Sequence, residues 1–349
     1  MPDTPRLIYD LNFEALREVV VAWKEPAFRA KQIWQGLYRQ FWNTPEQFSN
    51  LPASLRSKLA HEFSFSHLTP SHVAHSSDRE TVKTLFTLPD QKAIEAVLMR
   101  YESRRTLCIS TQAGCAMGCV FCATGQMGFK RHLSSGEIVE QVLHYARTLQ
   151  AQGESVTNIV IMGMGEPFHN YDATLDAIDR LNHPEGMNLG ARRFTISTVG
   201  LIPMIERFAS EERQVNLAIS LHAADDETRS ALLPINRKYP IADLIQACRN
   251  YVEKTGRRIT FEWALIYESN DTPEQAQKLA ALLKGLICHV NVIPLNPTGK
   301  FAGRATTQDR AKAFCAILEQ NGIPATIRIR RGIDIQAGCG QLATQYDMI

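Results

Sequence analysis

The sequence predicts an α/β protein built around a parallel sheet, either closed into a barrel or open. Three patterns support this prediction. From about residue 104 onward, short apolar runs alternate with segments of helical periodicity. The first 70 residues show helical spacing alone, and two β-rich runs separated by Pro89 and Asp90 connect the two regions. Repeated strand-helix units favour a parallel sheet because a helix is the usual connection between parallel strands.

The N-terminal part, residues 1–75, is predicted to be a small helical accessory domain. Its apolar residues recur at helical spacing in four segments separated by proline-containing turns: 12–23, 28–38, 44–51 and 52–63. Residues 76–103 form the predicted β-hairpin extension, which we expect to bridge the two parts of the protein.

Residues 104–349 form the predicted α/β core. Strands are predicted at 107–110, 158–162, 194–198, 216–220, 259–265, 290–294 and 325–329. A Ser134-to-Glu137 capping box opens one intervening helix, while Pro273 and Gly285 bound another. In a βα barrel the loops after the strands carry the chemistry, so we expect the site at those junctions.

Composition narrows the class of protein. The 349 residues are 44% hydrophobic and 21% charged, with a formal net charge of +2, as in ordinary globular proteins. No secretory signal pattern and no run of about 18 apolar residues is visible, so we expect a cytoplasmic protein without membrane contact. Eight cysteines in such a chain suggest metal binding, catalysis or burial instead of a disulfide framework.

Basic residues cluster locally, which predicts contact with a polyanion near the cysteine-rich segment. The alternative is a solvated basic face. The residues concerned are Arg100, Arg104, Arg105, Lys130, Arg131, Arg328, Arg330 and Arg331, with Glu102 the one acidic residue of the first group.

The stretch "GCAMGCVFCATG" places Cys115, Cys119 and Cys122 in one short loop. A structural zinc ion needs four ligands, and the nearest further candidate is His132. A four-iron cluster takes one cysteine per iron, so three cysteines leave one iron open to a small molecule. The spacing favours the iron-sulfur alternative, and both remain open at this point.

With Phe121 before the last cysteine, this motif resembles that of the radical S-adenosylmethionine (SAM) superfamily. "MGMGEP", with Gly165 and Glu166, resembles the superfamily segment that binds the methionine amino group of SAM; alone, it would be a tight turn. The resemblance implies a partial (β/α) barrel of the radical SAM type and a 4Fe-4S cluster. It also implies that the open iron binds SAM and that its cleavage yields a 5'-deoxyadenosyl radical.

Two further cysteines, Cys339 and Cys108, differ in what their sequence contexts predict. Cys339 lies between glycines in "DIQAGCGQLA", a context that suits a thiol with more than one partner. Cys108 lies on the strand that leads into the cysteine loop and, by itself, would be assigned to the core. Cys248, Cys288 and Cys315 have apolar surroundings and are expected to be buried structural cysteines.

Together these residues resemble the RlmN/Cfr family of radical SAM adenosine methyltransferases, with RlmN the nearer branch. The likeness covers nearly the whole chain, including the helical domain, for which it implies RNA binding. It is carried by "QKAIEAVLM", "TLCIS", "GCAMGCVFCATG", "IMGMGEP", "RRFTISTVG", "LAISLHA", "LLPINRKY", "VNVIPLNP" and "GIDIQAGCGQLA". The resemblance implies methylation of adenine C2 in 23S rRNA and in tRNA.

The resemblance also implies a mechanism that uses two SAM molecules per turnover. One SAM methylates Cys339, and a radical from the second removes a hydrogen from that S-methyl group. The carbon radical adds to adenine. Glu95 in "AIEAV" matches the proton acceptor, and Cys108 matches the thiol that releases the product by forming a disulfide with Cys339. Without the family match, Glu95 would be interpreted as a hairpin glutamate facing water.

The resemblance further implies a set of SAM contacts, all at predicted strand ends: Gly165, Glu166, Ser197, Ser220, Leu221, His222 and Asn296. On its own, His222 would more often be a structural histidine. Gln336 and Gly338 depart from the residues common in the family, which affects the expected geometry of the Cys339 loop.

Two other functions remain open at this stage. A Cfr-like enzyme would share these motifs and methylate C8 of adenine, while an RNA-binding protein with a structural metal would have no need of paired Cys108 and Cys339. As partners we expect 23S rRNA, tRNA and an external, flavodoxin-like electron donor. The protein itself is expected to be a monomer.

Overall fold

The computed structural model describes residues 5–343. The chain begins with a short strand and three helices, and a second short strand pairs in parallel with the first. Their bounds are β1 Arg6–Leu7, α1 Phe13–Ala22, α2 Phe28–Tyr38, α3 Ala53–Glu62 and β2 Phe63–Ser64. The predicted helices at 12–23, 28–38 and 52–63 are confirmed, and the segment 44–51 holds a single 3-10 turn, Pro45–Gln47.

Three antiparallel strands follow, β3 Thr69–His75, β4 Thr81–Thr87 and β5 Ala93–Arg100. The predicted hairpin around Pro89 and Asp90 is therefore confirmed as β4 and β5. Strand β3 was not predicted, because "TPSHVAH" is an exposed edge strand without apolar alternation.

The remaining chain alternates strands with helices. The strands are β6 Arg105–Cys108, β7 Gln112–Gly114, β8 Phe129–His132, β9 Asn158–Ile161, β10 Phe194–Thr198, β11 Asn216–Ser220, β12 Ile259–Leu265, β13 Cys288–Pro294 and β14 Ala325–Ile327. The helices are α4 Ala123–Gln126, α5 Ser135–Gln150, α6 Tyr171–Asn182, α7 Ile202–Ser210, α8 Asp226–Leu232, α9 Ile241–Thr255, α10 Pro273–Leu283 and α11 Gln308–Gln320.

One ten-stranded sheet joins the extension to the core, in the order β14-β13-β12-β11-β10-β9-β6-β5-β4-β3. The seven strands β6 and β9 to β14 are parallel, and each new strand is added on the same side. This is the order of a (β/α) barrel, so the C-terminal ends of the parallel strands meet at one edge. The extension pairs directly with the core through β5 and β6, with Val97 opposite Cys108.

Helix boundaries follow the predicted capping residues. The Ser134 hydroxyl accepts from the Glu137 amide at 3.2 Å, and the Glu137 carboxylate accepts from the Ser134 amide at 2.9 Å. Thr272 caps α10, whose first residue is Pro273, and Gly285 follows that helix with a φ of +76°. Among residues 5–343, no helix combines the length and apolarity needed to cross a lipid bilayer.

The helical domain is fixed to the core by buried polar contacts. The Arg180 guanidinium on α6 donates to the carbonyls of Leu11 at 3.2 Å and Asp10 at 3.0 Å. Glu140 on α5 accepts from the backbone amides of residues 67 and 68. Because buried charges are stable only when hydrogen-bonded, these contacts hold the two parts in one arrangement.

Candidate active site

The C-terminal ends of the parallel strands open onto a cavity with about 1010 Å³ of empty space, its open mouth included. Among its lining residues are the predicted cluster cysteines Cys115, Cys119 and Cys122, Cys339, and the predicted SAM contacts Gly165, Glu166, Ser197, Ser220, His222 and Asn296. A second cavity of about 800 Å³ is lined by Cys108, Cys122, Cys339, Asn296 and Arg328. Cys339 therefore borders both cavities.

Close backbone packing shapes the loop with the three cysteines. Gly114 ends β7 with a φ of +72°, and a Cβ atom there would overlap the Gly128 carbonyl. A Cβ on Gly125 in α4 would lie 2.8 Å from the Cys119 carbonyl oxygen. The Cys115 amide donates a hydrogen bond to the Gly128 carbonyl oxygen at 3.1 Å. These contacts set the backbone that carries all three thiols.

The pKa values of Cys115 and Cys119 in this loop are raised. Burial raises the pKa of Cys115 to about 12 and the pKa of Cys119 well above its usual value. The neighbouring Cys122 thiol raises both further, which indicates that the side chains are near one another. Metal coordination deprotonates such thiols, so a bound cation would offset this cost.

The donor set fits a 4Fe-4S cluster better than a single zinc ion. Among residues 5–343, no group of three or more His, Cys, Asp or Glu side chains is arranged to hold one metal ion. His132, the candidate fourth zinc ligand, instead has its Nδ1 atom 3.1 Å from Gln112 Nε2 and its ring against Phe129 and His169. A cluster needs one cysteine per iron, which three thiols around one cavity can supply.

A sharp turn after β9 fixes Glu166 at the cavity wall. Gly165 has a φ of +106°, and a Cβ there would lie 2.6 Å from Gln112 Cβ. The Glu166 carboxylate accepts from the amides of Phe168 at 3.0 Å and Val199 at 2.9 Å. Burial raises the pKa of Glu166 to about 7 despite these hydrogen bonds. A bound ammonium group would stabilise its charged form.

Two serines and a histidine lie at the ends of β10 and β11. The hydroxyls of Ser197 and Ser220 are 3.3 Å apart. His222 has a φ of +61°, and its Nδ1 accepts from the Ala264 amide at 2.9 Å, so the proton is on Nε2. Burial lowers the pKa of His222 to about 3. Leu221 is fully buried, with its side chain in the core instead of the cavity.

Asn296, just after β13, is buried and has one partnered and one unpartnered atom. Its Nδ2 donates to the Cys339 carbonyl at 3.0 Å. Its Oδ1 is buried and has no hydrogen-bond partner among residues 5–343. Buried acceptors are nearly always satisfied, so this atom on the cavity wall is suited to a ligand donor.

Cys108 and Cys339 come together although 231 residues separate them in the sequence. Burial raises the pKa of Cys108 to about 12, and Cys339 adds to the shift, as expected for neighbouring thiols. Cys339 retains accessible surface, yet the enclosing walls raise its thiol pKa by desolvation. The Arg328 guanidinium opposes the shift at both cysteines. Cys248, Cys288 and Cys315 are buried, as predicted.

Glu95 is 1% exposed and does not face water. One carboxylate oxygen pairs with Lys83 Nζ at 3.0 Å, and the other accepts from the Ala343 amide at 3.0 Å. Ala343 belongs to the segment that carries Cys339, residues 332–343, which we call the cysteine strap. Sequence reasoning missed Lys83; the register of the predicted hairpin, with Lys83 diagonal to Glu95, was the available signal.

Six of the eight residues in the predicted basic cluster fall into two sets; of the other two, Arg104 packs on the Tyr101 ring and Lys130 is exposed. Arg100 and Arg105 pair with Glu154, and Arg131 pairs with Asp90 and Glu137, so these cations have internal partners. The second set lines the cavity of Cys108 and Cys339 together with Tyr101: Arg328, Arg330 and Arg331. Positive charge therefore concentrates at the second cavity.

Comparison with known proteins agrees with this geometry. The Radical SAM superfamily model matches residues 109–283, and a model described as "Ribosomal RNA large subunit methyltransferase N-terminal domain" matches residues 8–64. A crystal structure of a radical SAM methyltransferase from Sphaerobacter thermophilus superposes with a TM-score of 0.95 at 50% identity, covering 97% of this chain and 99% of that one. The fold and site thus define a radical SAM enzyme.

Two curated relatives identify the family. The "Probable dual-specificity RNA methyltransferase RlmN" of Chloroflexus aurantiacus is 50% identical, with 98% of this chain and 94% of the relative covered. The "Dual-specificity RNA methyltransferase RlmN 1" of Myxococcus xanthus is 49% identical, with 97% and 95% covered. The chain belongs to the RlmN family of radical SAM RNA methyltransferases.

Proposed function

We propose that this protein methylates C2 of adenine in 23S rRNA and in tRNA through an S-methylcysteine at Cys339 and a transient disulfide with Cys108. The observation that carries the proposal is the meeting of these two thiols at one cavity, which borders the cavity of the three-cysteine loop. The names of the relatives, dual-specificity RNA methyltransferases, support RNA as the substrate.

Cys115, Cys119 and Cys122 would hold a 4Fe-4S cluster, which supplies the electron that cleaves SAM. Glu166 would accept from the SAM ammonium group, because its buried carboxylate is fixed by two amides and is favoured as an anion by a nearby cation. The unpartnered Oδ1 of Asn296 and the hydroxyls of Ser197 and Ser220 offer further hydrogen bonds. Leu221 contributes through its backbone in this proposal, and His222 through its Nε2 proton.

The two cysteines have successive roles. The Cys339 thiolate accepts a methyl group from one SAM molecule, and a second SAM is needed to activate that group for addition to adenine C2. Glu95 then accepts the C2 proton, and the adenine adduct gives up its unpaired electron, which the oxidised cluster held by the three cysteines would accept. The Cys108 thiolate attacks the Cys339 sulfur and forms a disulfide; the carbon-sulfur bond breaks, its electron pair stays on the methylene carbon, and that carbon takes a proton to give the C2 methyl group. External reduction of that disulfide completes the cycle.

The RNA would enter at the second cavity. Arg328, Arg330 and Arg331 line it and can meet phosphates, and the Tyr101 ring beside them packs against the guanidinium groups of Arg104 and Arg331. A base within a folded RNA must leave its stack to reach a thiol in a cavity, so we expect base flipping or an unpaired target. The cytoplasmic location, the monomeric state and the flavodoxin-like electron donor stay predictions.

Mass spectrometry of nucleosides tests the proposal. The reconstituted protein is incubated anaerobically with SAM, a reductant and 23S rRNA or tRNA, and 2-methyladenosine is expected. Cys339→Ala should abolish the product, whereas Cys248→Ala, a buried cysteine outside both cavities, should retain it. The appearance of 8-methyladenosine would reassign the position of methylation, and absence of methylated adenosine with an intact cluster would reject the proposal.

A further inference from the structure

The cysteine strap rests on the β-hairpin extension through several hydrogen bonds. The Ser77 amide donates to the Asp334 carboxylate at 2.7 Å, and the Ala343 amide donates to Glu95 at 3.0 Å. Between these contacts, Lys83 Nζ donates to the Gln336 carbonyl at 3.2 Å. The extension therefore contacts the strap on both sides of Cys339, and it is more than a bridge between domains.

Lys83 and Glu95 form the buried centre of this contact. Their side chains are 5% and 1% exposed, and their charged atoms are 3.0 Å apart. Lys83 thus binds the proposed proton acceptor and the strap with the same ammonium group. A buried carboxylate paired in this way keeps its orientation, because moving it would separate charges in a water-poor environment.

We infer that Lys83 is a positioning residue. It holds Glu95 and the cysteine strap as one hydrogen-bonded unit, so that the proton acceptor and the Cys339 thiol keep a fixed distance and orientation relative to each other. This inference rests on the roles proposed above for Cys339 and Glu95. It assigns the β-hairpin extension a function in the reaction, namely to orient the methyl-carrying segment. In this scheme Lys83 acts through the Glu95 carboxylate and the Gln336 carbonyl, and it has no role of its own in contacting SAM or the adenine.

Hydrogen exchange of the reconstituted holoenzyme tests the anchoring independently of catalysis. In Lys83→Met, peptides that contain residues 337–343 should exchange at least tenfold faster, while peptides from α9 should be unchanged if the fold is intact. Lys92→Met is the matched control, because Lys92 lies in the same extension and pairs with Asp90, an exposed partner. The double variant Lys83→Met with Glu95→Gln removes both charges, and it should also exchange faster without leaving an unpaired buried carboxylate.

The ratio of 5'-deoxyadenosine to methylated adenosine tests the role in the reaction. Lys83→Met removes none of the three cysteines but loosens the methyl carrier, so this ratio should rise at least tenfold, with partial recovery in Lys83→Arg. A general loss of folded enzyme would lower both products and leave the ratio unchanged. An unchanged exchange rate in the strap, or an unchanged ratio in a variant whose α9 exchanges as in the wild type, would overturn the inference. If the wild-type protein makes no methylated adenosine, the proposed function fails, and the exchange experiment still decides whether Lys83 anchors the strap.

Discussion

At the scale of one residue, the packing of the three-cysteine loop depends on Gly125, a position where a side chain would not fit. It lies in α4, directly after the third cysteine, and the position of its absent Cβ is 2.8 Å from the Cys119 carbonyl oxygen and 3.0 Å from the Cys119 nitrogen. Both neighbours are backbone atoms, which cannot rotate away as a side chain can. The helix therefore packs on the loop at a distance that only glycine permits.

Gly125→Ala should reduce the iron and acid-labile sulfide content of the reconstituted protein several-fold. The added methyl group displaces the backbone of Cys119, and such overpacking costs about 1–3 kcal/mol. Gly190→Ala is the control, because a Cβ there meets nothing within 4 Å, and its iron content should match the wild type. Equal iron in both variants would show that the loop tolerates the shift.

Some site residues were accessible to sequence reasoning and others were not. Three cysteines at spacings of four and three indicate a metal or cluster site from the sequence alone, because closely spaced thiols are typical metal ligands. The meeting of Cys108 with Cys339 was predicted only from family resemblance, since nothing local connects residues so far apart. The unpartnered Oδ1 of Asn296 depends on packing around one atom, which a sequence does not display.

At the scale of elements, the central strands of the parallel sheet were the most predictable. The segments 194–198, 216–220 and 259–265 match β10, β11 and β12 residue for residue, because each is a short β-branched and apolar run with buried residues and has a strand neighbour on both sides. Strand β3 and the β7-β8 pair were missed. Their stability comes from pairing with a neighbour, β3 at the sheet edge and β7 across the cysteine loop. Pairing with a neighbouring strand produces no hydrophobic periodicity in a short polar segment, so these strands could not be predicted from the sequence.

Helix α5 contains a histidine whose burial should make stability depend on pH. His144 packs edge-on against Phe86, with ring centroids 5.0 Å apart, and burial lowers its pKa to about 4, helped by Arg147. The unfolded chain has a pKa near 6.5 and binds the proton more readily. The stabilising effect of the neutral ring is therefore complete above pH 6.5 and is lost as the pH falls towards 4.

His144→Gln should weaken this dependence. Between pH 7 and pH 5 the wild type should lose about 2 kcal/mol of stability more than the variant, as one pKa unit corresponds to about 1.4 kcal/mol. Urea unfolding midpoints at the two pH values, followed by circular dichroism, measure the difference. If the wild type and the variant lose the same stability between pH 7 and pH 5, groups other than His144 cause the pH dependence.

At the scale of the whole molecule, the helical domain and the barrel share a buried polar boundary. Arg180 is 4% exposed, and it reaches from α6 to two carbonyls of the segment before α1. Such a contact fixes the orientation of the helical domain relative to the cavities, which matters if that domain binds the RNA that the cavities must meet.

Arg180→Met should destabilise the protein by about 3 kcal/mol, because it removes charged hydrogen bonds and leaves buried carbonyls without donors. It should also increase hydrogen exchange in residues 5–22. The control is Arg207→Met, since Arg207 is exposed and pairs at the surface with Asp172 and Glu211, and its effect should be much smaller than that of Arg180→Met. A small effect of Arg180→Met on both measurements would mean that apolar packing alone docks the domain.

The long separation between the cysteine strap and its anchors has a consequence for biosynthesis. The hydrogen bonds from the strap to Lys83 and Glu95 join residues 253 and 248 positions apart. A ribosome-bound chain of about 330 residues already contains the three-cysteine loop, Glu166 and both serines, but it lacks Cys339, the proposed methyl carrier. Contacts between such distant residues also form late in folding. The order of translation thus adds the proposed methyl carrier to the nascent chain after the three-cysteine loop and the proposed SAM contacts.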